Sequence, residues 1–365
     1  MKAPGQEGEM LTKEDSQMLH GLAILAMVML HLFCRIDTSL YHVRFMIGEV
    51  PAIYFLGLFG DICVPIYCFS SGYANYLLYH QEMDAYGHRR INRLFKFLKH
   101  YWLVVILFSF VGWLVGSQEM PGSVTRLLGN LLLYRLTYNG SWWFVVTFTI
   151  LMILCPALIR LVGRANGWIV VVVSGAVYFA AYLFRFNIVL DLKHTVLNWI
   201  WQQLILLGTS QFSFVIGMLF CKFDILSWIR KTLPDKLIKV AVWVVPGVLF
   251  LGHCLVQSLI VAPVTGILTL VCFHLWEKPA YVRRFFLYFG HHSTNIWLTH
   301  MFFYLAPFTN LVFKAEEPVL IFAFMLALCL GVSYAIEFVR TALEGCVELM
   351  RKVVKKVKNN HELQT

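Results

Sequence analysis

Apolar runs of roughly 17 to 25 residues recur from near Leu19 to near Arg340, each long enough to cross about 30 Å of hydrocarbon as a helix. No other feature constrains the fold as tightly. In lipid every backbone N–H and C=O must find its partner inside the protein, so only helices and closed barrels span. A barrel needs short segments of alternating hydrophobicity, whereas a stretch such as IVVVVSGAVYFAAYLF is apolar throughout. The fold class expected is therefore all-α: a polytopic transmembrane helical bundle of about ten spans. Composition agrees, with 59% hydrophobic and 14% charged residues among 365 and a mean hydropathy of +0.70.

The spans are expected near 19–34, 50–79, 97–117, 141–160, 167–184, 200–221, 238–255, 258–276, 285–305 and 318–340. The second is too long for one straight crossing and contains Gly57, Gly60 and Pro65, which predicts a broken or tilted helix. With the N-terminus in the cytoplasm, roughly 23 of the 30 Lys and Arg residues fall on that side, the positive-inside asymmetry, and both termini are then cytoplasmic. The net charge of +10 thereby has a membrane explanation, since HRRINRLFKFLKH and the tail RKVVKKVKNNH face anionic headgroups, and nucleic acid need not be invoked. Residues 1–18 read as a cytoplasmic segment, 19–340 as a single membrane domain and 341–365 as a basic cytoplasmic tail. The polar start is followed by an apolar run with no small-residue cleavage site, so the first span is expected to stay. Nine cysteines without C-x-x-C pairing or metal-like spacing read as small packing residues; no bound cofactor or metal is expected.

Ionisable groups at membrane depth are costly and are functional candidates by default. His31 lies in the outer half of the first span, eleven residues beyond His20, or about 16 Å along a helix. A neutral imidazole there can take a proton from a hydroxyl, or serve only as an inter-helical hydrogen bond. His300 falls in the outer half of a later span, with Ser293 and Trp297 at helical spacing on its face. Asp61, in the outer part of the second span, needs a partner, and pairing with a histidine would orient that ring; an outer-loop arginine would satisfy it equally. Arg90 and Arg93, within the densest basic cluster before the tail, serve either as a positive-inside anchor or as forks for the phosphates of a cytoplasmic donor. Trp142 and Trp143 stand at an outer boundary, as an aromatic belt or a rim on which sugar rings stack.

Several of these segments, in order, resemble the integral-membrane acyltransferase family 3, whose members acylate sugar hydroxyls. HGLAILAMVMLHLF resembles its opening helix, which carries a basic residue, ten intervening residues and a histidine, here His20 and His31. VPIYCFSSGYANYLL resembles the aromatic stretch ending in Ser-Gly-aromatic, at Ser71, Gly72 and Tyr73. HRRINRLFKFLKHYW resembles the Arg-x-x-Arg loop, at Arg90 and Arg93. NGSWWFVVTFTILMILCP resembles the Trp-aromatic span that ends near proline, and FGHHSTNIWLTHMFF the late Gly-x-x-Ser helix with its histidine. His20 stands where the family usually has Arg or Lys.

The resemblance implies transfer of an acyl group, most often acetyl, from acetyl-CoA or another coenzyme A thioester to a hydroxyl of a cell-envelope glycan or lipid-linked sugar, at a bacterial inner membrane. Together with the residue-by-residue reading above, it gives His31, His300 and Asp61 as the expected catalytic residues, and His20, Ser71, Arg90, Arg93, Trp142, Trp143 and Ser293 as the expected substrate-binding ones. The mechanism is direct attack by a hydroxyl that His31 deprotonates, or an acyl-histidine relay across the membrane. A transporter or flippase of a lipid-linked sugar or small metabolite is the rival class, although neither related halves nor paired broken helices are visible.

Overall fold

A computed structural model of the chain describes residues 10–36, 38–188, 190, 194–304 and 309–362, with side chains through 352. It is helical almost throughout. The helices are α1 (Lys13–Phe33), α2 (Ala52–Phe59), α3 (Cys63–Gln81), α4 (Met83–Leu114), α5 (Val124–Leu131), α6 (Trp143–Arg164) and α7 (Gly167–Phe186). They continue as α8 (Thr195–Lys222), α9 (Ile225–Thr232), α10 (Asp235–Leu255), α11 (Ala262–Leu275), α12 (Ala280–Tyr304), α13 (Thr309–Phe313) and α14 (Pro318–Glu362). The strand content among the described residues is one two-residue antiparallel pair, Met46–Ile47 with Val50–Pro51, in the loop after α1.

Each of the ten expected segments is helical. Among the described residues, eight helical stretches are long and apolar enough to cross a membrane; the shorter 259–275 stretch and the polar-rich α12 complete the ten segments. The second segment breaks as its composition predicts: α2 and α3 are separated by a 3-10 turn, Gly60–Ile62. Pro65 has no N–H for the carbonyl of Asp61 four residues earlier, which removes a helical bond where the backbone tightens. Gly60 lets that turn lie on α1, for a Cβ there would come within 2.2 Å of the Ala26 carbonyl oxygen. α14 continues from the last expected span into the tail, as far as Glu362.

α1 starts at a capping box in which the Thr12 hydroxyl accepts from the Asp15 N–H and the Asp15 carboxylate accepts from the Thr12 N–H. It then packs along α12, as α3 and α7 both do along α8. Since lipid offers no hydrophobic drive between helices, close backbone approach has to hold them. At α1 and α12 two glycines provide it: a Cβ on Gly21 would lie 2.1 Å from the Phe286 carbonyl oxygen, and one on Gly290 would lie 1.9 Å from that of Gln17. The two helices run parallel, and ten residues beyond each glycine, about 15 Å along the axis, stand His31 and His300.

Candidate active site

The register set by the two glycines brings His31 and His300 face to face. Their ring centroids are 4.7 Å apart, and His300 Nε2 lies 3.3 Å from His31 Nδ1. His300 is fully buried, and its Nδ1 lies 2.8 Å from the Trp297 carbonyl and 3.2 Å from that of Ile296. A nitrogen facing two carbonyl oxygens must carry the proton, which leaves Nε2 of the neutral ring as an acceptor. His31 Nδ1 faces that acceptor and also the Met27 carbonyl at 2.9 Å, so it too is the protonated nitrogen. The remaining lone pair of His31 is on Nε2, which no described residue engages, and His31 lines a cavity of about 390 Å³. Helix carbonyls thus dictate the tautomers in series and leave one basic nitrogen free.

The cavity extends along α1 from His20 to His31, and Tyr67, Ser71, Trp143 and Trp297 also line it. The His20 ring lies 4.9 Å from that of Tyr67. Asp61 lines the same cavity from the 3-10 turn, level with the C-terminal half of α1 because Gly60 sits against Ala26 and Leu30. Its histidine partner is neither member of the pair. Asp61 Oδ2 is 3.0 Å from Nε2 of His253, a residue 2% exposed near the end of α10, while Oδ1 has no hydrogen-bond partner among the described residues. His253 Nδ1 meets the Val256 carbonyl at 3.1 Å. Both ring nitrogens therefore face oxygens, and the Asp61–His253 pair must hold a proton between them.

Other expected site residues fall elsewhere. Trp142 is fully buried and donates from Nε1 to the Leu298 carbonyl at 3.0 Å, with its ring edge-on to Tyr101 and Phe302; it braces α6 against α12 and does not line the cavity. Ser293 donates to the Gly290 carbonyl at 2.9 Å, and its neighbour Thr294 lines the cavity instead. Arg90 donates from Nη1 to the Met152 carbonyl. That carbonyl lacks its helical partner because Pro156, four residues on, has no N–H. Arg93 is exposed and makes no hydrogen bond or ion pair with a described residue.

Two residues escaped the sequence reading: Arg185, which lines the cavity, and His253, which holds Asp61 from outside its lining. His253 is an ionisable group inside an expected span, and the rule that selected His31 selects it too. Arg185 lies one residue past the boundary expected at 184, so it passed for a loop residue, whereas α7 continues to Phe186.

A protein-family model described as an acyltransferase domain matches residues 17–338. No curated protein and no solved structure matches the chain. With most of its length matched, the chain belongs to acyltransferase family 3, and it is a membrane acyltransferase. The transporter reading gives way to that membership.

Proposed function

We propose that the protein transfers an acyl group, acetyl in the first instance, from a cytoplasmic coenzyme A thioester to a hydroxyl of a cell-envelope glycan or lipid-linked sugar. The observation that carries this reading is the free Nε2 of His31 on a cavity that also reaches His20. His31 Nε2 takes the proton of the acceptor hydroxyl as its oxygen attacks the thioester carbonyl, and the thiolate of coenzyme A leaves. The imidazolium formed is steadied at Nδ1 by the Met27 carbonyl and the His300 lone pair, so His300 takes the orienting part that the sequence offered to Asp61. Arg93 is the arginine of the Arg-x-x-Arg pair with its fork free for donor phosphates. The bacterial inner membrane is the compartment where such a donor and acceptor meet across one bilayer.

Mass spectrometry of envelope glycans from cells with and without the gene tests the reading. Loss of one O-acyl mass on deletion is expected; unchanged glycan masses would contradict it.

A further inference from the structure

One face of α7 is built unlike a lipid-facing helix. Tyr178, Tyr182, Arg185 and Phe186 stand at i, i+4, i+7 and i+8, a single helical stripe, and all four line the cavity. The rings form a ladder, with centroids 6.4 Å apart for Tyr178 and Tyr182 and 4.9 Å for Tyr182 and Phe186. Both tyrosine hydroxyls are occupied: Tyr182 meets Ser258 Oγ at 2.7 Å, and Tyr178 donates to the Ile260 carbonyl at 3.0 Å. What the tyrosines have left for a ligand is their aromatic surface.

Among the described residues, Arg185 is the sole Lys or Arg lining the cavity. Its carbon Cζ lies 5.2 Å from the centre of the Trp143 ring and 5.1 Å from that of Phe186. Among the described residues one of its five donors is used, in a long 3.4 Å bond to Thr209 Oγ1, and no described carboxylate pairs with it. Asp61, the acid in the same cavity, is engaged by His253. An arginine that merely anchors a span extends toward the headgroups; this one lies against Trp143 on the cavity wall. Its edge donors match the oxygens of a carboxylate or a phosphate in bidentate fashion.

We infer that the outer half of the cavity selects an anionic acceptor: a sugar whose ring lies on the aromatic stripe and whose carboxylate or phosphate is bound by Arg185. This rests on the acyl-transfer reading for the word acceptor, but binding tests it without catalysis. The experiment uses the full chain in nanodiscs of zwitterionic lipid, with ligand binding read from the thermal midpoint during titration. The probes are methyl β-D-glucuronide, glucose 6-phosphate and the neutral methyl β-D-glucoside.

At least one acidic probe binds about tenfold or more tighter than the glucoside, as a charge-assisted pair provides. Which one does so separates carboxylate from phosphate. Arg185→Gln removes that preference and keeps glucoside binding within about twofold, and Arg185→Lys, a point charge without the fork, restores part of it. Equal binding of all three probes, no binding of either acidic probe, or a preference that survives in Arg185→Gln would overturn the inference. So would displacement of the acidic probes in a parallel titration with phosphatidylglycerol added to the nanodiscs, which would make Arg185 a lipid contact. His31→Ala keeps the preference. If that variant still transfers acyl groups, the catalytic reading fails while the anion subsite stands.

Discussion

His31 and Arg90 are both polar groups on helices long enough to cross a membrane, and they end differently. Arg90 gives its guanidinium to a carbonyl that Pro156 orphaned on the neighbouring helix. His31 gives only Nδ1 to the protein and keeps Nε2 for the cavity. Hydrogen-bonding capacity left over toward a cavity marks chemistry; capacity consumed between helices marks assembly. The same contrast divides Trp143, on the cavity wall, from its neighbour Trp142, locked to Leu298.

The largest effect expected is at His31. His31→Ala lowers acyl transfer by about a hundredfold to ten-thousandfold, the usual contribution of a general base, while the thermal midpoint in nanodiscs stays near that of the wild type. Comparable loss of stability and activity would put His31 in the class of Arg90.

His300 comes next, as a positioning residue. His300→Phe removes the acceptor lone pair and lowers kcat by about tenfold to a hundredfold, on the scale of about 1.5–3 kcal/mol for a hydrogen bond to a charged group. The KM for each substrate stays level. His300→Gln keeps an acceptor near the Nε2 position and recovers part of the loss, whereas a purely steric role would give the two variants equal rates.

The two arginines of Arg-x-x-Arg should separate. Arg90→Gln leaves the Met152 carbonyl short of a donor and lowers stability by about 1–3 kcal/mol, read as a lower thermal midpoint with unchanged rate per folded molecule. Arg93→Gln raises the donor KM and leaves the midpoint in place. If both variants raise the donor KM without loss of stability, the division between chemistry and assembly does not extend to this pair.

The smallest effect belongs to an exposed clasp that joins the loop after α1 to the start of α14. Arg44 beside Glu317 holds that carboxyl below its ordinary value of 4.5. A depressed folded value contributes stability that is present above that ordinary value and is lost as pH falls through the folded one. Glu317→Gln should therefore leave the thermal midpoint almost unchanged at neutral pH and remove only a slight acid sensitivity below about pH 4.5. A large drop at neutral pH would show that the clasp organises this end of the bundle.

Much of the fold was legible because apolar length is a local quantity. The break at Gly60–Ile62 could be read from Gly60 and Pro65 for the same reason. The identities of His31, His300 and Asp61 were also visible, since ionisable groups stand out in apolar runs. Their pairing was not. His31 meets His300 because Gly21 and Gly290 set a register between helices some 270 residues apart in sequence, and Asp61 meets His253 through the packing of α2 and α10. Whether Arg90 is an anchor or a ligand fork could not be read from its own segment, because the carbonyl it meets belongs to another helix, and Arg185 was hidden by a boundary error of two residues.

The central claim is that His31 acts through the lone pair on Nε2, and His31→Gln addresses it most directly. Glutamine reaches the same position and keeps hydrogen-bonding capacity, but it cannot take the proton. Single-turnover acyl transfer by this variant in nanodiscs, with saturating donor, should fall by about a hundredfold or more, as loss of a general base requires. Transfer within about twofold of the wild-type rate, under the same conditions, would reduce His31 to an inter-helical hydrogen bond and contradict the account.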